Sequence, residues 1–146
     1  MTTIAFDGKT MACDTRVTCG SSYYNTDTKI YENDFYIIGV AGDAGVGTML
    51  VDCPYILQAR HYDFDFEALV FAKDTRKLYK VAFYKSWDCT LSSVILVADK
   101  FSAVGSGSPY ALAAMYLGNT ATHAVMVAAE FDTNTGGKII TKPLFG

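Results

Sequence analysis

Paired metal ligands are missing from this 146-residue sequence. Its four cysteines, Cys13, Cys19, Cys53 and Cys89, include no C-x-x-C pair, and its two histidines, His61 and His123, are solitary, so no spacing suits zinc. Basic clusters are missing too, and a net charge of −3 gives no electrostatic reason to expect nucleic acid or an anionic membrane as a partner. No basic segment followed by a short apolar stretch precedes the first strand-like run, which argues against a signal peptide. The longest apolar runs fall well short of a bilayer span. Internal repeats, low-complexity tracts and inter-domain linkers are absent. So are the G-x-S-x-G elbow of Ser-His-Asp hydrolases, the Lys-Ser/Thr of a P-loop and a complete G-x-G-x-x-G. These absences point to a reduced, soluble, cytoplasmic protein that calls for no metal and no cofactor.

What is present is a globular composition. With 51% hydrophobic, 14% aromatic and 18% charged residues, the chain falls outside the disordered class. Its length suits one domain, residues 1–146, with a single well-filled core. Residues 2–6 and 10–14 read as strands joined by a D-G turn at Asp7-Gly8-Lys9. Residues 20–28 are polar and read as a loop, and 29–31 with 35–40 read as a second hairpin. Asp43 is placed to cap a helix over 46–59, which Pro54 breaks or kinks. Residues 67–71 and 78–84 are strand-like, as are 91–97 and 101–104 about a turn at 98–100. Ser108 as cap and Pro109 as first helical residue open a helix over 110–117 that stops at Gly118-Asn119. A second helix covers 120–131, a loop 132–137 and a last strand 138–141. Hairpins rather than crossovers join the strands, so the fold class is layered α/β with mostly antiparallel sheets.

Several residues carry more than one meaning. Thr2 follows an initiator Met1 of the kind aminopeptidases remove when the next side chain is small. Removal leaves a free α-amine beside the Thr2 hydroxyl, a self-contained base and nucleophile, although an ordinary edge strand is the commoner meaning of the dipeptide. Asp14, at the end of a hydrophobic strand, is either a turn former or a buried acceptor orienting a cation. Lys29 is either solvated or, beside an active amine, lowers that amine's pKa by like-charge repulsion. Gly39 marks a bulge, tight packing or close approach of a ligand to the backbone. Gly105-Ser106-Gly107-Ser108 precedes a helix, a place where an anion can sit. Asp132, Thr135 and Gly136-Gly137 make either a plain turn or a functional loop. The cysteines read as core or near-core residues.

Taken in order, these segments resemble one family. Thr2-Thr3-Ile4, Ala12-Cys13-Asp14-Thr15-Arg16-Val17-Thr18 and Thr28-Lys29-Ile30 are similar to the opening of proteasome β-type and HslV-type subunits. Ile38-Gly39-Val40-Ala41-Gly42-Asp43, Val104-Gly105-Ser106-Gly107-Ser108-Pro109-Tyr110-Ala111 and Glu130-Phe131-Asp132-Thr133-Asn134-Thr135-Gly136-Gly137 resemble later blocks of the same family. The resemblance implies the four-layer αββα sandwich of N-terminal-nucleophile (Ntn) hydrolases, with reduced helical layers. It implies a threonine-type peptidase in which Thr2 attacks the peptide bond once Met1 is removed. Asp14 is then expected to hold the Lys29 ammonium, and Lys29 to favour the neutral amine. The N–H of Gly39 is expected to face the developing oxyanion, with Ser106, Asp132 and Thr135 positioning the amine. Thr135 stands where the family commonly has serine. An α-amine, ordinarily at about 7.7–8.0, needs only a modest downward shift to serve as base. Val17, Thr18, Asp27, Ile37 and Ala41 are implied to bind substrate, with Asp27 favouring a basic side chain. The implied partners are a peptide or unfolded protein substrate and further copies of the chain in a homo-oligomer; no ATPase unfoldase is identified.

The chain departs from the family pattern in three places. The first hairpin is shorter, residues 60–66 leave almost no room for the second family helix, and the usual C-terminal helix and strands do not follow Lys142-Pro143-Leu144-Phe145-Gly146. Those parts contribute to ring stacking and to unfoldase docking in the family. Two alternatives follow. One is a non-catalytic scaffold or assembly subunit, favoured by the shortened chain and by any retention of Met1, which turns the amine into an amide. The other is an amidase acting on a small amide with the same nucleophile.

Overall fold

Alternating apolar residues and tight turns build two face-to-face sheets. The structure, a computed structural model, describes residues 2–42, 45–52, 57, 65–85, 90–97 and 100–145. Strands β1 (Ile4–Phe6) and β2 (Thr10–Cys13) form the expected hairpin. Asp7 closes it, with Oδ1 accepting from the N–H groups of Lys9 and Thr10. Strand β10 (Ser102–Val104) flanks β1 and β11 (Ile140–Pro143) flanks β2, completing a four-stranded antiparallel sheet. The second sheet runs β5 (Ile30–Glu32), β6 (Tyr36–Gly42), β7 (Phe66–Ala72), β8 (Lys77–Lys85) and β9 (Thr90–Leu96), each antiparallel to its neighbour. Strands β3 (Arg16–Cys19) and β4 (Ser22–Asn25) pair as a separate hairpin.

Three apolar layers join these pieces. Between the sheets, Ile4, Phe6 and Met11 pack against Ile37, Leu69 and Phe71. Outside the four-stranded sheet, Ala5, Ala12 and Ala103 meet the alanine-rich faces of α2 (Ser108–Tyr116) and α3 (Ala121–Phe131). Small side chains on both sides let the helices lie close to the sheet. Outside the five-stranded sheet, Ile38, Val40, Val70 and Phe83 meet Val46 and Leu50 of α1 (Val46–Val51). The layers therefore run helix pair, sheet, sheet, helix. The arrangement is layered α/β and mostly antiparallel, as expected.

Several expectations are corrected. Residues 20–28 are not all loop, because β4 pairs there with β3; every residue of β4 is exposed, so no apolar alternation announced it. Of the helix expected over 46–59, Val46–Val51 is seen, capped by Gly45; Asp43 and Pro54 lie outside the described residues. Gly107, not Ser108, caps α2, whereas α3 is capped by Thr120, whose hydroxyl accepts from the His123 N–H at 3.3 Å. Strands β9 and β10 do not pair about a turn but belong to different sheets. Cys13 is buried and Cys19 exposed, while Cys53 and Cys89 lie outside the described residues. No described helix is long and apolar enough to cross a membrane.

Candidate active site

The β1–β2 register determines who meets Thr2. Ile4 lies opposite Cys13, so Thr3 and Asp14 follow as the next pair, and the Asp14 N–H donates to the Thr3 carbonyl at 3.3 Å. The Asp14 carboxylate thereby lands beside Thr2, fully buried. Its Oδ1 accepts from the Thr2 hydroxyl, from the Thr3 N–H at 3.1 Å and from Lys29 Nζ at 2.9 Å. Its Oδ2 accepts from the N–H groups of Gly136 at 3.0 Å and Arg16 at 3.3 Å. A buried carboxylate so surrounded is satisfied on both oxygens.

Lys29 stands one residue before β5, only 7% exposed. Its ammonium donates to the Thr2 hydroxyl oxygen, to Asp14 and, at 2.5 Å, to the Arg16 carbonyl. Burial pushes its pKa below the ordinary 10.5, while the Asp14 charge opposes that shift. A cation so placed can stabilise negative charge on the Thr2 oxygen.

A second network closes around the other side of the Thr2-Thr3 backbone. Ser106 and Thr135 both donate to Asp132 Oδ2, at 2.6 and 2.7 Å, and the Thr135 and Thr3 hydroxyl oxygens lie 2.7 Å apart. Burial works to raise the Asp132 pKa, but the hydrogen bonds from Ser106, Thr135 and the Asn134 N–H outweigh it and hold the carboxyl below its ordinary 3.8. Gly105 adopts φ +98°, and a Cβ there would collide with the Thr2 carbonyl oxygen. The glycines therefore admit the Thr2 backbone, and the Gly107 N–H donates to the Thr2 carbonyl at 3.4 Å. The segment makes backbone contact with Thr2.

Thr2 and Lys29 lie on the wall of a cleft of about 490 Å³, with Val17 and Thr18 beside them. The other residues expected to bind substrate fall elsewhere. Asp27 is exposed and off the cleft wall, and Ile37 and Ala41 are buried in the layer between the sheets. Strand parity is the reason. Residues 37, 39 and 41 of β6 face the other sheet, whereas Ile38 and Val40 face α1. Gly39 shares that inward face, where a Cβ would come within 2.5 Å of Ile4 and 2.8 Å of the Met11 sulfur. Its backbone is not open to the cleft either. The Val40 N–H donates to the Lys29 carbonyl at 3.0 Å, so the N–H of Gly39 points the other way, to Leu69 on β7.

By the same alternation the N–H of Gly42 points past the start of β5, toward the cleft that Gly42 lines. Sequence reasoning missed this residue, together with Arg16, Tyr24, Tyr31 and Thr48 on the same wall. The signal for Gly42 was there, since it stands an odd number of residues from Gly39 and so takes the opposite edge of the strand. Thr3 was missed as well, although it links the two networks, its N–H donating to Asp14 and its hydroxyl meeting Thr135. Among the described residues no group of three or more His, Cys, Asp or Glu is placed to hold a metal ion.

Comparison with known proteins rests on structure. No protein-family model matches the sequence, and no curated protein matches it. Among solved structures, Thiobacillus denitrificans BPH in complex with epoxomicin is similar over 100% of both chains, with a TM-score of 0.73 at 23% identity. The two chains share a fold.

Proposed function

We propose that this chain is a threonine-type peptidase with the Ntn-hydrolase sandwich, acting through Thr2 after removal of Met1. One observation carries the reading: a buried Lys29 ammonium shared between the Thr2 hydroxyl and the Asp14 carboxylate, on the wall of an open cleft. In this reading the Thr2 amine accepts the hydroxyl proton while Oγ1 forms a bond to the substrate carbonyl carbon. Lys29 stabilises the developing alkoxide, and the N–H of Gly42, in place of Gly39, receives the oxyanion. Collapse breaks the peptide C–N bond, the leaving amine takes the proton from the Thr2 amine, and water then hydrolyses the threonyl ester. Ser106, Asp132 and Thr135 position the amine through Thr3. The fold shared with a protein solved in complex with epoxomicin supports a peptide-like ligand in the cleft. A homo-oligomer belongs to the same reading.

The test uses chain freed of Met1, a broad peptide library and two variants. Thr2→Ala is expected to lower turnover by about a thousandfold or more, and Thr2→Ser to retain measurable cleavage through a seryl ester. Epoxomicin is expected to raise the melting temperature of the wild type more than that of Thr2→Ala. Turnover that is unchanged in Thr2→Ala sinks the proposal. Absence of any cleavage or epoxomicin binding by processed protein favours the non-catalytic subunit, for which the exposed Tyr116, Leu117, Met126 and Phe131 on α2 and α3 provide an association surface. Cleavage of small amides but not peptides favours the amidase.

A further inference from the structure

A second cleft, of about 530 Å³, opens at the far end of β1 and shares no lining residue with the first. At roughly 3.3 Å per strand residue, Phe6 lies about 13 Å from Thr2 along the chain. The cleft is the mouth of the layer between the two sheets. Its floor is Phe6 and Leu78, each only 5% exposed, with Val97, and its walls include Leu96 and Phe145. Phe145 is held in place edge-on to Phe71 at 5.2 Å and under the Arg76 guanidinium at 5.0 Å.

The described residues of the rim are mostly cationic. Lys9, Arg76, Lys77 and Lys100 line it, 4 of the 12 cationic side chains of a chain whose net charge is −3. None of the four has an ion-pair partner among the described residues. Among the described residues Asp7 is the one acid on the lining, and both its oxygens are engaged: Oδ1 by the N–H groups of Lys9 and Thr10, Oδ2 by the Ala121 N–H at the start of α3. Arg76 has φ 58°, a conformation more natural for glycine or asparagine, so this turn position carries a cation against backbone preference.

We propose that this cleft binds a single-chain amphiphile with a carboxylate head, the alkyl chain entering between the sheets and the head meeting the cationic rim. Charge complementarity selects the anion, because four cations without an ion-pair partner among the described residues outnumber the Asp7 carboxylate on the same lining. The floor selects the chain. An extended peptide would bury amide groups against Phe6, Leu78 and Val97, whose side chains offer no hydrogen bond, whereas an alkyl chain has no such groups to desolvate.

The probe is decanoate, titrated below its micelle concentration into wild type and into Thr2→Ala with amide shifts followed by NMR, so that the outcome is independent of any peptidase activity. Saturable shifts are expected at residues 6–9, 76–78 and 96–97 in both proteins. The exposed charge reversal Lys77→Glu/Lys100→Glu is expected to weaken decanoate by about tenfold, and uncharged decanol to bind more weakly than decanoate. Absence of saturable shifts at those residues overturns the proposal. So does equal decanoate affinity in the reversed protein, or saturable binding there of an acidic peptide in place of decanoate.

Discussion

Asp14 and Lys29 show how far single side chains control this site. Each is buried and each answers the other's charge at 2.9 Å. Removing one partner leaves an uncompensated charge in the interior, which costs about 3–5 kcal/mol. Asp14→Ala is therefore expected to lose about that much stability in urea unfolding. The double variant Asp14→Ala/Lys29→Met is expected to lose clearly less than the sum of the two single variants; strict additivity would mean the pair is not coupled. Asp132 gives a pH signature. Its folded pKa lies below its ordinary 3.8, so the unfolded chain takes up the proton first as pH falls. The stability it contributes is present above about pH 4 and is lost as pH drops through and below that value. The gap in melting temperature between wild type and Asp132→Asn is expected to close below about pH 4, and a gap constant with pH would contradict the hydrogen-bonded carboxylate described here.

The elements divide by the kind of signal that forms them. Hairpins β1–β2, β5–β6 and β7–β8 were legible because turn residues and alternating apolar residues agree, whereas β3–β4 has turn and pairing but no apolar face. Within β6 the pattern identified the strand and not its outlook. A one-residue shift of register exchanges the two faces, and Ile37, Gly39 and Ala41 went to the inner layer while Val40 and Gly42 line the cleft. Gly39→Ala consequently tests packing. Its Cβ would press on Ile4 and Met11, and a loss of about 1–3 kcal/mol is expected in thermal or urea unfolding; a neutral result would mean the sheets have room between them. Thr120→Ala removes the cap of α3 and is expected to cost about 1 kcal/mol, measured the same way.

For the whole molecule the question is what covers its apolar surface. At the C-terminal end of α2, Tyr116 and the capping Leu117 are 80% and 79% exposed, and near its other end Phe131 of α3 stacks on Tyr110 with half or more of its own surface open. Exposed apolar side chains at both ends of a helix pair favour association. Sedimentation is expected to show concentration-dependent self-association that Leu117→Asp/Phe131→Asp reduces. A monomer at high concentration would remove the homo-oligomer from the proposed function.

By itself the sequence determined the β1–β2, β5–β6 and β7–β8 hairpins and the two helices expected over 110–117 and 120–131, which run Ser108–Tyr116 and Ala121–Phe131, while its family resemblance named Thr2, Asp14, Lys29, Ser106, Asp132 and Thr135, which lie around one backbone segment. Local turn chemistry and periodicity reach as far as the hairpins and helices because they act between neighbours in the chain. The tertiary structure alone decided which edge of β6 faces the cleft, that Gly105 admits the Thr2 carbonyl, and that the sheets open at the far end onto a cationic rim. Those features depend on how two sheets stack and in which register, and stacking is governed by contacts between residues far apart in sequence, such as Ile4 with Gly39 and Phe71 with Phe145.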